Sequence, residues 1–148
     1  MIMKKKTVLI LGGSSDIGIE TTIKFLSNGW KVIAHYNINE KKLKKIKERY
    51  PQNLFLIKMN FKNKNSLNLF SSKIKKFNIT SYINLIGYVD NLSYEKTDLS
   101  NLITNIQINS LMPILLQKKL LKNMVSKKFG RILHISSIGV KYGGGDNT

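Results

Sequence analysis

The 148-residue sequence contains no cysteine, so disulfide bonds and thiolate chemistry contribute nothing to its fold or function. No apolar run approaches the roughly 20 residues that a membrane-spanning helix needs. The apolar run after the first lysines, Thr7–Leu11, ends at Gly12 and is shorter than the roughly 7–15 residues of a signal-peptide core. We therefore expect a soluble, cytoplasmic protein without a membrane partner.

Acidic residues are also few, with 8 of them against 25 lysines and arginines, which gives a formal net charge of +17. Such an excess raises nucleic acid or an anionic membrane surface as partners. However, the positive residues are almost all lysines scattered over every segment, whereas nucleic-acid sites more often cluster arginine with aromatic residues. We therefore favour a solvated basic surface and keep nucleic-acid binding as the lesser alternative.

Short apolar runs alternate with stretches of helical period along the whole chain, which is typical of repeated βα units and a parallel sheet. Because no linker interrupts this pattern, we expect one domain over residues 1–148. Right-handed crossovers then predict a doubly wound, Rossmann-like sheet of strand order 3-2-1-4-5. The predicted strands are Thr7–Leu11, Lys31–Tyr36, Leu54–Lys58, residues 81–85 and residues 130–136.

Helical periodicity predicts helices over residues 17–26, 40–50, 66–77 and 98–127. In the second of these, Leu43 and Ile46 should face inward. We expect the last to be two helices broken near residues 105–109, with Pro113 tolerated in a first turn. Residues 139–148 are glycine-rich, polar and without periodicity, which predicts a loop.

A glycine- and serine-rich turn follows the first strand directly. Gly12 can take the sharp turn, the N–H groups of residues 14–18 can face a pyrophosphate, and Gly18 lets the helix approach the strand. Asp16 either caps the helix or repels a pyrophosphate unless it points away. Such turns also occur as purely structural caps. The candidate cofactor-binding residues of this turn are Gly12, Ser14, Ser15, Asp16, Ile17 and Gly18.

The segment Leu11-Gly12-Gly13-Ser14-Ser15-Asp16-Ile17-Gly18 is similar to the Thr-Gly-x-x-x-Gly-x-Gly motif of short-chain dehydrogenases/reductases. Leu11 stands where that family often has Thr, and Asp16 where it usually has the middle Gly. Within Ile83-Asn84-Leu85-Ile86-Gly87, Asn84 and Gly87 resemble the family's Asn-Asn-Ala-Gly motif, which steadies the sheet and borders the cofactor.

Two further positions resemble catalytic residues of the family. Asn109 resembles the helix Asn whose backbone kink holds a water in the proton relay, although it is also readable as an ordinary polar helix residue. Residues 130–137, Gly-Arg-Ile-Leu-His-Ile-Ser-Ser, look like the fifth strand and the catalytic serine, which would be Ser137. The resemblance implies an NAD(P)(H)-dependent oxidoreductase that transfers hydride between a nicotinamide and a small carbonyl or alcohol substrate.

The family's Tyr-x-x-x-Lys motif does not follow Ser137, because Tyr142 is followed four residues later by Asp146. In the family the Tyr donates a proton to the carbonyl, and the Lys lowers its pKa and grips the ribose. The resemblance therefore implies that this chain covers roughly the first three-fifths of such an enzyme and is inactive alone. A non-catalytic nucleotide-binding or interaction module remains the alternative.

Cofactor preference rests on the end of the second strand, where Tyr36 and Asn37 offer no carboxylate to bond a ribose 2′-hydroxyl or repel a 2′-phosphate. We therefore expect NADP(H) to be favoured over NAD(H), with Lys41 or Lys42 meeting the phosphate. Asn60 and Phe61 stand where the family has an Asp and an apolar residue beside the adenine.

The remaining expectations concern metals and assembly. His35 and His134 lie in strand patterns without partners at metal-ligand spacing, so we expect ordinary strand residues and no metal. Residues 106–124 resemble a helix that pairs across the family's dimer interface, which implies a homo-oligomer if the protein is full length. Without further strands, the fifth strand should be an exposed edge.

Overall fold

Five parallel strands form a single sheet in a computed structural model of the chain, which describes residues 6–63, 65–90 and 92–142. Their order is β3-β2-β1-β4-β5, which confirms the predicted doubly wound topology. The strands are β1 (Thr7–Leu11), β2 (Lys31–Tyr36), β3 (Leu54–Lys58), β4 (Ser81–Asn84) and β5 (Arg131–His134).

The central strand β1 is buried along its whole length because helices cover both faces of the sheet. Leu9 and Leu11 point to one face, where they pack with Phe70 and Leu116. Val8 and Ile10 point to the other face, as the two-residue period of a strand requires. The uninterrupted apolar run that predicted β1 therefore contributes side chains to two hydrophobic cores, one on each face of the sheet.

Two helices lie on each face of the sheet. On the face of Val8 they are α1 (Asp16–Ser27) and α2 (Lys41–Arg49), and Leu43 and Ile46 of α2 are buried as predicted. On the opposite face they are α3 (Ser66–Ile74) and α5 (Met112–Ser126). A short 3₁₀ turn (Tyr94–Lys96) and α4 (Leu99–Ile106) precede α5.

The two helices predicted within residues 98–127 are present as α4 and α5, but the junction between them is not a loop. A π-helical turn, Gln107–Leu111, instead runs from α4 directly into α5, and the N–H of Met112 donates to the carbonyl of Gln107. Pro113 explains the widening, because its ring clashes with a carbonyl four residues earlier and it has no N–H to donate there. Pro113 itself lies at the start of α5, as predicted.

The predicted loop over residues 139–148 is also wrong in part. A four-residue helix, α6 (Gly139–Tyr142), begins there, and residues 143–148 lie outside the described residues. The N–H of Gly139 donates to Ser137 Oγ at 3.1 Å, and the N–H of Lys141 donates to the Ile138 carbonyl. A helix this short is held by such local bonds, which leave no periodicity in the sequence.

Strand β5 lies at one edge of the described sheet and pairs with β4 alone. Three of its four residues are exposed, which confirms the expected exposed edge. In the part of the chain that the structure describes, we find no helix that is both long and apolar enough to cross a membrane.

Candidate functional site

A cleft of about 490 Å³ opens at the carboxyl ends of β1 to β4. This is the edge of a doubly wound sheet where ligands bind, because the loops diverge there from the central strand. We call it the first cleft. Of the residues predicted to bind cofactor, it is lined by Gly12, Ser14, Ser15, Asn37, Asn60, Phe61 and Gly87.

The turn that leaves β1 depends on Gly12, whose φ of +75° favours glycine. A Cβ added there would lie 2.9 Å from the carbonyl oxygen of Leu85, so the turn packs closely against the end of β4. The N–H of Ser15 then donates to the Gly12 carbonyl at 3.1 Å. The glycine therefore serves both a sharp turn and a close approach, as predicted.

Ser15 caps helix α1, since its Oγ accepts the N–H of Gly18 at 3.0 Å. Of the two alternatives for Asp16, capping of the helix is therefore wrong. The amides of Ser14, Asp16 and Ile17 have no acceptor among the described residues, as is usual in a first helical turn. These open N–H groups and the helix dipole favour an anion at this end of α1.

Asp16 points away from the first cleft. Its side chain is 91% exposed and its Oδ1 lies 2.7 Å from Lys42 Nζ, an ion pair that holds the pKa of Asp16 below its usual value. Ile17 is also exposed and lies outside the cleft lining. The carboxylate of Asp16 is thus partly neutralised and turned to solvent.

Gly18 is buried where α1 crosses the turn, and a Cβ added there would overlap the carbonyl oxygen of Gly12. Its role in this structure is close packing of helix against strand, as predicted. It does not line the first cleft.

The end of β2 presents Asn37 to the first cleft and buries Tyr36 behind it. The hydroxyl of Tyr36 donates to Glu40 Oε2 at 2.5 Å, a bond that raises the pKa of Tyr36 to about 12. Glu40 also pairs with Lys44 at 2.6 Å. The carboxylate of Glu40 is thus held by Tyr36 and Lys44. Tyr36 itself lies outside the cleft lining.

His35 is a cleft residue that the sequence analysis classed as an ordinary strand residue. It is 3% exposed, and its ring packs against Phe61 with 4.7 Å between the centroids. Its Nδ1 faces the N–H of Gly12 and its Nε2 faces the carbonyl of Met59. The sequence signal for this role was that His35 is a polar residue inside the apolar strand β2. A buried polar group needs hydrogen-bond partners, so such a residue is expected to join other segments.

A second cleft of about 510 Å³ lies beside the first and is bordered by Asn84, Asn109 and Ser137. The two clefts share one wall, formed by residues 85–88. We call it the shared wall. Gly87 lies in this wall with no atom within 4 Å of a Cβ added to it, so this position has open space on its outer side.

Asn109 holds the shared wall in place. Its Oδ1 accepts the N–H of Tyr88 at 2.7 Å, and its Nδ2 donates to the Tyr88 carbonyl, also at 2.7 Å. The π-helical turn carries this side chain, and Asn84 lies at the opposite end of the wall with its Oδ1 accepting the N–H of Ile86. Asn109 is therefore more than a solvated polar helix residue in this structure.

Ser137 follows β5 and lies exposed in the second cleft. Its Oγ accepts the N–H of Gly139 at 3.1 Å, and its hydroxyl hydrogen has no acceptor among the described residues. It can therefore still donate a hydrogen bond to a group entering the cleft.

Lys62 and Tyr88 form a bridge across the first cleft that the sequence did not indicate. Lys62 Nζ donates to the Tyr88 hydroxyl at 2.7 Å and lies 4.3 Å from the centroid of its ring. The two residues are 26 positions apart and belong to different loops. Only the folded structure brings Lys62 and Tyr88 together, so no sequence pattern predicts the pair.

A family model described as short chain dehydrogenase matches residues 6–147. The chain belongs to the short-chain dehydrogenase family. The resemblance drawn from the glycine turn, Asn84, Asn109 and Ser137 is thereby confirmed at the level of the family. Among the residues that the structure describes, no three His, Asp or Glu residues are grouped to hold a metal ion.

Related dehydrogenases extend well beyond the length of this chain. A 3-oxoacyl-[acyl-carrier-protein] reductase of Rickettsia typhi is 34% identical over 133 residues, which are 90% of this chain and 54% of the relative. A benzil reductase ((S)-benzoin forming) of Bacillus cereus is 29% identical over 138 residues, with 88% and 55% covered. The chain thus spans about half the length of these curated relatives.

Solved short-chain dehydrogenases share the fold. One from Streptomyces avermitilis superposes with a TM-score of 0.81 at 20% identity, covering 94% of this chain and 52% of that one. Another, from Sphingobium yanoikuyae in complex with NADPH, superposes with a TM-score of 0.79 at 18% identity, with 90% and 54% covered. At these identities the likeness is one of fold.

Proposed function

We propose that this chain forms the nucleotide-binding part of an NADP(H)-dependent oxidoreductase that transfers hydride between the nicotinamide and a small carbonyl or alcohol substrate. The observation that carries the proposal is the pair of adjoining clefts. One is lined by the glycine turn and the other by Ser137, and they share the wall of residues 85–88. A nucleotide and a substrate held on the two sides of that wall would meet beside Gly87.

The residues of the first cleft fit a dinucleotide. Gly12 keeps side-chain bulk out of the turn, and the open amides of Ser14, Asp16 and Ile17 offer donors for a pyrophosphate. Asn60 and Phe61 supply a polar and an apolar contact for the adenine side. Asn84 and Gly87 would border the nicotinamide side through the shared wall.

A preference for NADP(H) follows from the charges around Asn37. Because Glu40 is bonded to Tyr36 and paired with Lys44, its carboxylate is not offered to a ribose 2′-hydroxyl. Lys62 lines the same cleft, and Lys42 is exposed although it pairs with Asp16. A 2′-phosphate would therefore meet a positive surface.

The bound nicotinamide would supply or accept the hydride. Ser137 would orient the substrate oxygen with its hydroxyl hydrogen, which has no acceptor among the described residues, and Asn109 would fix the wall against which the substrate lies. No Tyr-x-x-x-Lys follows Ser137 within these 148 residues, so we propose that they bind nucleotide without turning over substrate.

Assembly is a separate proposal. Apolar side chains are exposed along α4, the π-helical turn and α5, among them Ile106, Leu111 and Ile114. We propose that this surface, within residues 106–124, pairs with a second copy in the full-length protein. In sedimentation velocity, the full-length wild type should be a dimer and the Ile114→Glu variant a monomer. A monomeric wild type would contradict the proposal.

Calorimetric titration of the native full-length protein with NADPH and NADH tests the central proposal. We expect NADPH to bind at least about tenfold more tightly, since loss of one charge-assisted contact costs about that factor. Absence of binding by both nucleotides would reject it. Binding without reduction of any of a panel of ketones and aldehydes would favour a non-catalytic nucleotide-binding module.

A further inference from the structure

His35 joins three segments that build the first cleft. Its backbone carbonyl accepts the N–H of Gly13 at 2.8 Å, and its ring Nδ1 accepts the N–H of Gly12 at 3.2 Å. Its Nε2 lies 3.0 Å from the carbonyl oxygen of Met59, just past the end of β3. One residue of β2 therefore fastens the glycine turn on one side and the β3 loop on the other.

The two partners of the ring determine its protonation state. A backbone N–H can only donate, so Nδ1 must carry a lone pair toward Gly12. A carbonyl can only accept, so Nε2 must carry the hydrogen toward Met59. Only the neutral imidazole with hydrogen on Nε2 satisfies both, and burial lowers the pKa of His35 to about 4, so that form prevails at neutral pH.

The ring of His35 is closely packed. Phe61 and Phe70 lie against it with centroid distances of 4.7 and 5.5 Å, and the side chain is 3% exposed. Phe61 lines the cleft, so the histidine also buttresses the surface proposed to face the adenine. On the other side, a Cβ added to Gly13 would lie 2.9 Å from Ala34 Cβ, which shows how closely the turn is drawn onto β2.

We infer that His35 is a positioning residue for the proposed nucleotide site, because its hydrogen bond to Gly12 fixes the glycine turn in the conformation that offers open amides to a pyrophosphate. The inference rests on the proposed function and adds a residue to it. The histidine does not donate to the nucleotide in this scheme. Its ring and its backbone carbonyl accept from the Gly12 and Gly13 amides, which leaves the amide of Ser14, a residue of the cleft lining, open to a ligand.

Two substitutions separate the two ring bonds. In His35→Asn the amide oxygen occupies about the place of Nδ1 and can still accept from Gly12. In His35→Gln the amide nitrogen occupies about the place of Nε2 and can still donate to Met59, but Gly12 loses its acceptor. Both variants lose the ring and its packing against Phe61, so the difference between them reports on the Gly12 bond.

Titration of NADPH into the native full-length wild type and both variants gives the test. We expect His35→Gln to bind about tenfold more weakly than His35→Asn, since a buried N–H left without an acceptor costs about that much. Equal affinity of the two variants, whether wild-type or equally reduced, would overturn the inference. If the wild type binds neither NADPH nor NADH, the proposed function fails independently of the variants.

A second measurement needs no variant and no nucleotide. Nitrogen-15 NMR of the wild-type protein at neutral pH should show His35 as the neutral form with hydrogen on Nε2, and a coupling across the hydrogen bond from the Gly12 amide to Nδ1. A histidine protonated on Nδ1, or an imidazolium, could not accept from Gly12 and would overturn the inference even if both variants failed to fold.

Discussion

The side chain of Asn109 clasps the backbone of Tyr88 with two hydrogen bonds of 2.7 Å, one accepted from its N–H and one donated to its carbonyl. The clasp ties the π-helical turn to the wall shared by both clefts. A substitution at residue 109 should therefore change both stability and the geometry of the wall.

Asn109→Asp should lower the free energy of unfolding by about 1–2 kcal/mol, because the carboxylate keeps one bond and faces the Tyr88 carbonyl without a donor. Ser110→Ala is the matched control, since Ser110 lies in the same cleft and its side chain has no hydrogen-bond partner in the part of the chain that the structure describes. Urea unfolding of the three proteins measures the difference. Equal stability of the wild type and the aspartate variant would show that the two hydrogen bonds of Asn109 do not contribute to the free energy of unfolding.

Gly18→Ala should cost about 1–3 kcal/mol of unfolding free energy, because the new methyl overlaps the carbonyl of Gly12. Gly87→Ala should leave stability almost unchanged, since its added Cβ has open space. Thermal and urea unfolding distinguish the two. If Gly87→Ala nevertheless weakens NADPH binding, the space beside Gly87 is occupied by the nucleotide.

Asn37→Asp should shift nucleotide preference toward NADH by about tenfold or more, because a carboxylate at the end of β2 repels a 2′-phosphate and accepts from a 2′-hydroxyl. Asn39→Asp adds the same charge two residues away, outside the cleft lining. The ratio of the two dissociation constants, measured by titration, is the readout. An equal shift in both variants would point to net charge rather than to position.

Ser137→Ala should lower kcat of the full-length enzyme by about 10²-fold with little change in NADPH affinity, as is typical when one donor to a reacting oxygen is removed. Ser136→Ala is the comparison, because Ser136 lines the same cleft one residue earlier. Steady-state kinetics with a ketone substrate measures both. A loss in Ser136→Ala that equals the loss in Ser137→Ala would assign the effect to the shape of the cleft.

The burial of His35 predicts a dependence of stability on pH. The folded protein disfavours the charged imidazole and holds its pKa at about 4, below the ordinary value of 6.5, so the unfolded chain binds the extra proton first. The stabilisation from neutral His35 is thus complete above about pH 6.5 and declines as pH falls toward 4. It amounts to about 3 kcal/mol over that interval.

Comparing wild type with His35→Asn isolates this contribution from that of the carboxylates. The difference in unfolding free energy between the two proteins should shrink by about 3 kcal/mol between pH 7 and pH 4, as measured by urea unfolding at several pH values. A difference that stays constant over this range would mean that the folded protein accommodates the imidazolium.

The sequence was sufficient to predict the sheet because mainly apolar runs of strand length alternate with helical stretches, although only β1, β2 and β4 are buried along nearly their whole length. Thr7–Leu11, Lys31–Tyr36 and Leu54–Lys58 were predicted with their observed bounds, since each is a mainly apolar run of strand length. The family motifs then identified Gly12, Asn109 and Ser137 at the two clefts.

The buried faces of the helices were predicted less well, because an apolar residue can lie on either the buried or the exposed face of a helix. Ile17 and Ile23 contributed to the prediction of α1, yet both are exposed, while Ile19, Thr22 and Leu26 form its buried face. The π-helical turn was not predicted either, because its causes are not visible in the periodicity of the sequence. It arises from Pro113 and from the bonds of Asn109 to Tyr88, which lies in a different segment of the chain.

The parts of the site that escaped prediction depend on contacts between distant segments. Lys62 and Tyr88 are 26 residues apart, and His35 and Met59 are 24 apart. No sequence pattern links the two members of either pair, although His35 itself stands out as a polar residue in an apolar strand. Each role comes from a partner that the folded chain brings close. Side-chain pairing of this kind is a property of the assembled sheet.

The position of β1 at the centre of a parallel sheet also constrains the order in which the chain can fold. Thr80, just before β4, donates to the carbonyl of Thr7, 73 residues earlier, and β1 pairs with β4 from there onward. On the ribosome, β1 can pair with β2 early, but its other side must stay open until residues 81–84 of β4 have been made. Pairing over such distances is slow, and the waiting strand is a natural target for chaperones.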